Sequence, residues 1–177
     1  SQSRGNGSSL ASSVPTNPPV EPTNPTNAMP EELKGHWAEK EIYELYQNGI
    51  ITGDNGLRLQ DNISRAEFTA IIVRALQMET SGNLSGFSDV ASDAWYAPYV
   101  YTAMENGLVE GQDGMFRPND NITREEMCKI IVVALGEKTV SENGFTFADD
   151  SDISGWAKEY VYQAHQIGIV NGMGDNR

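Results

Sequence analysis

The sequence predicts an all-α fold made of three helix–loop–helix repeats, and two observations predict it. Tryptophan recurs at nearly constant spacing along the chain, at Trp37, Trp95 and Trp156. After two copies of a short polar motif, apolar residues recur at i, i+3, i+4 and i+7, which is the pattern of one buried stripe on a helix. Because a single helix pair cannot bury its stripe alone, neighbouring repeats are expected to pack together.

The chain begins with a segment whose composition differs from the rest. Residues 1–30 hold six of the eight prolines, mixed with Thr, Asn and Ser. Such a segment buries too little apolar surface to offset its conformational entropy, so a disordered linker is expected there. The repeats are assigned to residues 31–79, 85–138 and 145–177, and the third is truncated before its second helix. Since the chain has neither an initiator Met nor a signal peptide, we interpret it as a piece of a longer protein.

The first helix of each repeat is expected to end at a glycine. In repeat 1 the apolar face of this helix is Ile42, Leu45 and Tyr46. An apolar residue follows the terminal glycine in every repeat, as in a left-handed C-cap with its hydrophobic contact. These glycines, each with a second one four residues later, are Gly49 and Gly53, Gly107 and Gly111, and Gly168 and Gly172. Turns are then predicted at Asp54-Asn55-Gly56 and Gln112-Asp113-Gly114.

The second helix opens with Asp-Asn-Ile-[Ser/Thr]-Arg in repeats 1 and 2. Ser64 and Thr123 stand at the N-cap position, and Glu67 and Glu126 follow three residues later. This spacing is a capping box, in which the hydroxyl and the carboxylate bind backbone N–H groups that the helix itself leaves without acceptors. The four residues therefore have a structural role whether or not they bind a ligand.

The arginine inside this motif is not explained by helix capping. Arg65 and Arg124 fall at the first helical position, where the positive end of the helix dipole disfavours a cation. One interpretation is an anion site, formed by the guanidinium together with exposed N–H groups of the helix. The other is a surface arginine that forms an ion pair with a carboxylate on the neighbouring repeat. The residues alone leave both open.

Composition excludes some classes of partner. The formal net charge is −13, which argues against nucleic acid and against an anionic membrane surface. No apolar run is long enough to span a membrane. The single cysteine, Cys128, lies beside an apolar helix stripe and is expected to be buried.

No catalytic, metal or cofactor site is predicted. The loop from Asp54 to Glu67 has its glycine and its glutamate at the wrong positions for an EF-hand. His36 and His165 occupy unrelated repeat positions outside any nucleophile motif. The three tryptophans are open to two interpretations, namely packing between repeats or stacking on a sugar face.

Several motifs resemble those of S-layer homology repeats. The match is best in repeat 2, at Phe87-Ser88-Asp89-Val90, Trp95, Gly107, Gly111, Asp113-Gly114-Met115-Phe116-Arg117-Pro118 and Thr123-Arg124-Glu125-Glu126. The resemblance covers about residues 33–177. It implies three repeats packed as a pseudo-threefold helical spindle. It also implies a non-catalytic module that anchors an upstream domain of the same polypeptide to the wall.

The resemblance also implies a ligand and a set of binding residues. The expected ligand is a pyruvylated secondary cell-wall polysaccharide, or a polymer linked to peptidoglycan, bound in grooves between repeats. The expected location is the cell wall or S-layer outside a Gram-positive bacterium. The candidate carbohydrate-binding residues are Arg65, Arg124, Ser64, Thr123, Trp37, Trp95, Trp156, Gly53 and Gly111.

Repeats 1 and 3 depart from the family pattern. Repeat 1 has Met29-Pro30-Glu31-Glu32-Leu33 in place of F-x-D-V, and its loop lacks the family's Phe and Pro. Repeat 3 ends before any [Ser/Thr]-Arg motif, which limits arginine sites of this kind to two. A protein–protein assembly module and a fragment of a wall-degrading enzyme remain as alternative functions.

Overall fold

A computed structural model describes residues 28–52, 56–140 and 147–171. Within these ranges the chain is helical and has no β-strand, which confirms the predicted all-α class. The α-helices are α1 (Glu39–Gln47), α2 (Arg65–Ala75), α3 (Ala97–Glu105), α4 (Arg124–Ala134) and α5 (Lys158–Gln166). Short 3-10 helices lie at Glu31–Leu33 and Asp150–Asp152. The linker predicted over 1–30 lies outside the described residues as far as residue 27.

The second helices, α2 and α4, begin at the predicted capping boxes. The Glu67 N–H donates to Ser64 Oγ at 3.2 Å, and the Ser64 N–H donates to Glu67 Oε2 at 2.8 Å. Thr123 and Glu126 make the same two bonds at 3.2 and 3.0 Å. Because each box supplies acceptors for N–H groups without helical partners, both helices start where the sequence predicts.

The first helices, α1, α3 and α5, end at glycines in the left-handed region, as predicted. Their φ angles are 68° at Gly49, 69° at Gly107 and 78° at Gly168. The residue after each glycine donates its N–H back to a carbonyl in the last turn, as in a Schellman motif. These bonds are Ile50 to Leu45 at 2.9 Å, Leu108 to Ala103 at 2.8 Å and Ile169 to Ala164 at 2.8 Å.

At the start of repeat 1, a different residue takes over the structural role that the aspartate of the F-x-D-V motif has in repeat 2. In repeat 2, Asp89 accepts hydrogen bonds from the N–H groups of Phe116 and Arg117, at 2.8 and 2.7 Å. In repeat 1, Glu32 accepts one from the Leu57 N–H at 2.5 Å. Both carboxylates therefore tie the loop before the second helix to the start of the repeat.

Helices pair across the repeats. α2 packs against α3, and α4 packs against α5, so the second helix of one repeat joins the first helix of the next. α2 also contacts α4. Within the described residues, α1 packs against the 3-10 helix at Glu31–Leu33 and no other helix, and none of its own residues is buried. The expectation that neighbouring repeats pack together is confirmed.

The hydrophobic core is formed mainly between these paired helices. A main cluster joins repeats 1 and 2 through α2, α3 and the following loop, and includes Val73, Tyr101 and Phe116. A smaller cluster of Cys128, Val132 and Ala164 joins α4 to α5. Cys128 is buried as expected, and this burial raises the pKa of its thiol.

Candidate functional site

The N-terminus of α2 is covered by the loop of repeat 2. The N–H of Arg65 donates to the Asp120 carbonyl at 2.9 Å, and the N–H of Ala66 donates to the Pro118 carbonyl at 3.0 Å. The Glu67 N–H is already bound to its capping serine. Because the first three N–H groups of α2 all have acceptors, the backbone here offers no free donor to an anion.

The side chain of Arg65 is engaged as well. Its Nε donates to the Phe116 carbonyl at 2.9 Å, and its Nη1 pairs with Glu126 Oε1 at 2.5 Å. The guanidinium carbon lies 4.9 Å from the centre of the Phe116 ring. The residue is only 8% exposed, and burial lowers its pKa from the ordinary value while the charge of Glu126 opposes that shift. For Arg65 the ion-pair interpretation holds, but the arginine is buried instead of lying on the surface, and its partner Glu126 is half-buried.

Glu126 accepts bonds from three sources. Besides Arg65 and the N–H of Thr123, it pairs with Arg117 at 3.4 Å. In repeat 1, Glu67 likewise pairs with the loop residue Arg58. Sequence reasoning missed these two loop arginines. The signal was present, since Arg58 and Arg117 have the same separation in sequence as the two motif arginines.

Arg124 occupies the same motif position as Arg65 but has different surroundings. It is exposed, and no described residue pairs with its guanidinium. No described carbonyl accepts the N–H of Arg124 or of Glu125, the first two donors of α4. Arg124 borders a cavity of about 210 Å³, which Cys128, Phe147 and Asp149 also line. The anion-site interpretation therefore stays open for Arg124.

At the boundary between repeats 1 and 2, the space that corresponds to this cavity is occupied by Phe116. Phe147 and Asp149 correspond to Phe87 and Asp89, which hold the loop residue Phe116 by ring contact and by backbone hydrogen bonds. Residue 177 is as far from Phe116 as Trp156 is from Trp95, so it is the position that corresponds to Phe116. It lies outside the described ranges. The space around Arg124 is therefore a candidate position for a loop segment as well as for an anion.

A second and larger cleft, of about 420 Å³, lies where residues of all three repeats meet. We call it the Trp156 cleft. Four of the candidate binding residues line it: Arg65, Gly111, Thr123 and Trp156. Its remaining lining residues are Leu108, Val109, Glu110, Gln112, Arg117, Glu125, Glu126, Lys129 and Ile130. The cleft therefore combines three cations and three carboxylates with one aromatic ring.

The geometry of the Trp156 cleft suits a sugar that carries an acid group. Trp156 is 52% exposed, which leaves a ring face open for stacking against sugar C–H groups. Lys129 Nζ pairs with Glu110 Oε2 at 2.8 Å and lies 5.9 Å from the centre of the Tyr160 ring. That hydrogen bond and the charge of Lys129 lower the pKa of Glu110 from its ordinary value. Sequence reasoning missed Lys129, which falls between apolar positions of α4.

Three other candidate residues, Trp37, Trp95 and Ser64, line neither cavity. Trp37 and Trp95 are 91% and 56% exposed, so neither indole is buried between repeats. Ser64 serves as the cap of α2, and Gly53 lies outside the described residues.

Gly111 lines the cleft, and packing requires a glycine at this position. An added Cβ would lie 2.3 Å from Phe87 Cε1 and 2.7 Å from the Met115 carbonyl oxygen.

The described ranges contain neither a metal-binding cluster of His, Cys and acidic residues nor a membrane-spanning helix. No group of three or more His, Cys, Asp or Glu residues there is placed to hold a metal ion. No helix there is both long and apolar enough to cross a membrane. The described histidines have local contacts: His36 Nδ1 accepts from the Ala38 N–H at 3.2 Å, and the His165 ring meets Phe147 edge-on.

Fold and cleft together define a helical-repeat module with a sugar-sized cleft between repeats. The S-layer homology domain profile matches residues 33–69, 86–128 and 146–177, and the chain belongs to this family. The resemblance seen in the sequence is thereby confirmed. S-layer homology domains are anchoring modules of surface proteins, so membership indicates cell-wall anchoring as the broad function.

The chain is similar to part of several larger proteins. It is 40% identical over 151 residues to an amylopullulanase of Thermoanaerobacterium thermosulfurigenes, covering 82% of this chain and 8% of that protein. It is 36% identical over 151 residues to an exoglucanase of Acetivibrio thermocellus, covering 82% and 14%. It is 39% identical over 142 residues to a surface-layer 125 kDa protein of Lysinibacillus sphaericus, covering 77% and 12%. The chain thus spans about a seventh or less of these relatives, and the similarity lies in their S-layer homology part.

Proposed function

We propose that the chain anchors an upstream domain of the same polypeptide by binding an anionic, pyruvylated secondary polysaccharide, or a peptidoglycan-linked polymer, in the wall of a Gram-positive bacterium. The observation that carries the proposal is the Trp156 cleft, in which cations from two repeats and an open indole face from the third surround one sugar-sized space. The surface-layer relative supports this location.

Individual cations in the cleft offer an anionic ligand partners, although the protein as a whole is acidic. The whole chain carries a formal net charge of −13, so long-range attraction works against an anionic polymer. In the cleft, Arg65, Arg117 and Lys129 each lie against a carboxylate, and a ligand carboxylate could share those cations through charge-assisted hydrogen bonds. Trp156 would supply an apolar ring face for stacking against the sugar.

The test is co-sedimentation with purified cell walls, before and after acid removes the secondary polymer. The chain is expected to sediment with intact walls and to stay in solution with stripped ones. Trp156→Ala and Lys129→Gln should each reduce sedimentation. Trp37→Ala is the matched control, because Trp37 is 91% exposed and lines neither cavity.

Two results would contradict the proposal. Binding that is unchanged by stripping would exclude the secondary polymer and favour a protein partner, which is the alternative function. An equal loss on replacing Trp37 and Trp156 would show that binding is not located in the cleft. Release of sugar by the isolated chain would instead identify an enzyme.

A further inference from the structure

A buried glutamine on α5 has an oxygen without a partner. Gln163 is only 4% exposed, and its Oε1 accepts no hydrogen bond although it is shielded from solvent. No other buried side-chain nitrogen or oxygen of the described residues lacks a partner. Because a buried acceptor without a donor is unfavourable, this oxygen indicates a partner that the protein itself does not supply.

Three further oxygen-bearing side chains lie around this amide. Gln163 Nε2 donates to Glu137 Oε2 at 3.3 Å, and Thr139 Oγ1 donates to Glu159 Oε2 at 3.1 Å. Glu159 and Gln163 are four residues apart in α5, so they lie on one face of that helix. Glu137 and Thr139 follow α4 and meet this face. We call Glu137, Thr139, Glu159 and Gln163 the Gln163 cluster.

The two carboxylates of the cluster have no cation beside them. Among the described residues, neither Glu137 nor Glu159 forms an ion pair. Lys158, the neighbour of Glu159 in the chain, pairs with Asp150 instead. The two carboxylates are exposed at the rim, while Gln163 is buried at the base. The cluster therefore combines two negative charges with an unpaired amide oxygen.

The amide of Gln163 can offer its oxygen to the centre of the cluster. A half-turn of the amide exchanges Oε1 with Nε2, and the oxygen then lies at the Glu137 carboxylate. Two oxygens at that distance repel each other unless a cation lies between them. A cation bound by both would satisfy the unpaired acceptor and would neutralise the carboxylates.

The spacing of the polar atoms favours calcium over magnesium. In an octahedral site, the edge between neighbouring ligand oxygens is about 1.4 times the metal–oxygen distance, which gives about 3.4 Å for Ca²⁺ and about 2.9 Å for Mg²⁺. Both contacts in the cluster, at 3.3 and 3.1 Å, are longer than the magnesium value. Ca²⁺ also accepts carboxylate and amide oxygens together in an irregular geometry.

The internal repeat shows that the fold does not require these side chains. At the boundary between repeats 1 and 2, the counterparts of the two carboxylates and the amide are Met78, Pro98 and Thr102. There the buried position is satisfied within the chain, because Thr102 Oγ1 accepts from the Ser81 N–H and donates to the Pro98 carbonyl, both at 2.7 Å. The boundary between repeats 2 and 3 thus acquires two carboxylates and an unsatisfied amide together.

We propose that the Gln163 cluster is a calcium site in which Glu137, Glu159 and the Oε1 of Gln163 are the protein ligands. Thr139 orients Glu159 through its hydrogen bond, and water completes the coordination. The ion ties the stretch after α4 to α5 and thereby stabilises the boundary between repeats 2 and 3. The proposal is independent of polymer binding, because none of these residues lines the Trp156 cleft.

The test titrates the metal-free whole chain with Ca²⁺ and, separately, with Mg²⁺. In NMR spectra the side-chain NH₂ signals of Gln163, assigned by their loss in Gln163→Met, are expected to shift with Ca²⁺ and much less with Mg²⁺. Since only two carboxylates are present, we expect a dissociation constant of about 10⁻⁴–10⁻³ M. At a Ca²⁺ concentration about ten times that value, the midpoint of thermal unfolding should rise by about 3–6 °C.

Substitutions distinguish a built site from binding to the acidic surface. Glu137→Gln and Glu159→Gln should each weaken calcium binding at least about tenfold, as the loss of an outer-shell partner already does. Gln163→Met should abolish the thermal response to calcium without lowering the midpoint in its absence, because it removes an unpaired acceptor. The matched control is Glu79→Gln, which removes the same charge from the exposed stretch after α2.

Four results would overturn the proposal. Equal losses in Glu79→Gln and Glu137→Gln would show that calcium binds the acidic surface as a whole. A thermal response that persists in Gln163→Met would exclude the amide as a ligand. Gln163 signals that stay in place with both ions would exclude a site at the cluster. Equal shifts with Ca²⁺ and Mg²⁺ would contradict the assignment to calcium.

Discussion

The boundary between repeats 1 and 2 and the boundary between repeats 2 and 3 place the same motif arginine in different surroundings. Arg65 is 8% exposed and ion-paired with Glu126, while Arg124 is exposed and has no ion-pair partner among the described residues. The loop of repeat 2 covers the start of α2 and supplies Phe116, whereas the corresponding part of repeat 3 lies outside the described residues. The surroundings of Arg65 are therefore set by the neighbouring repeat, through contacts that lie far from the motif in sequence.

The largest expected effect is on the partly buried ion pair of Arg65 and Glu126. Arg65→Ala should lower the free energy of unfolding by about 3 kcal/mol, near the lower end for breaking a buried pair, because Arg117 still contacts Glu126. Urea denaturation measures this loss. A double-mutant cycle with Glu126→Gln should show a coupling energy of about 1–3 kcal/mol. A loss below about 0.5 kcal/mol, the range of ordinary surface changes, would contradict a structural role for Arg65.

The next effect concerns the packing of the loop that closes the first boundary. Gly111→Ala should cost about 1–3 kcal/mol, because its Cβ would overlap the Phe87 ring at 2.3 Å. The matched control is Gly155→Ala, where an added Cβ meets nothing within 4 Å. Thermal unfolding of both variants is the measurement. Equal midpoints for the two would show that the loop moves away without cost.

A smaller effect is expected at the capping box of repeat 1. Burial alone would raise the pKa of Glu67, but the hydrogen bonds from Ser64 and Arg58 outweigh it and hold that pKa below its usual range. A carboxylate whose pKa is lower in the folded state stabilises the protein at pH values above its pKa in the unfolded chain, which is about 4.3. This stabilisation is lost as the pH falls through the pKa of the folded state. From about pH 5 downward, the free energy of unfolding should therefore fall less steeply in Glu67→Gln than in the unmodified protein. Identical slopes would contradict the assignment.

The smallest effect on stability is expected at Arg124. Arg124→Ala should change the free energy of unfolding by less than about 0.5 kcal/mol, since the side chain is exposed and unpaired among the described residues. It should nevertheless weaken sedimentation with cell walls if this arginine contacts the polymer. Circular dichroism provides the check. A loss of helix that parallels the loss of binding would make Arg124 structural, and the two boundaries would then be alike.

Local signals were sufficient to predict the helices. The capping boxes at Ser64 and Thr123 and the glycine caps, such as Gly107, act within one turn, so sequence spacing alone identifies them. The start of repeat 1 was harder to interpret. Glu32 replaces the expected aspartate with a longer side chain that still reaches the loop N–H group.

The candidate site could be predicted only in part, because its contacts span long sequence distances. Arg65 and its partner Glu126 belong to different repeats, and no local pattern distinguishes a buried pair from an open anion site. Lys129 and Arg117 join the cleft through the packing of α4 and its preceding loop, which the sequence does not specify residue by residue. The tryptophans were left open between packing and stacking; Trp156 lines the cleft, whereas Trp37 and Trp95 line neither cavity.

The pairing of α2 with α3 and of α4 with α5 has a consequence for how such a protein could grow or be divided. The packed units do not coincide with the sequence repeats. One packed unit runs from Ser64 to Ile122 and contains the α2–α3 pair with its covering loop. A cut between residues 79 and 85, where the repeats meet in sequence, would separate two packed helices. A cut just before a capping box would leave them together. Recombination that joins chains at the capping box can thus exchange whole units while keeping the α2–α3 and α4–α5 pairs, and it changes only the smaller contact between α2 and α4.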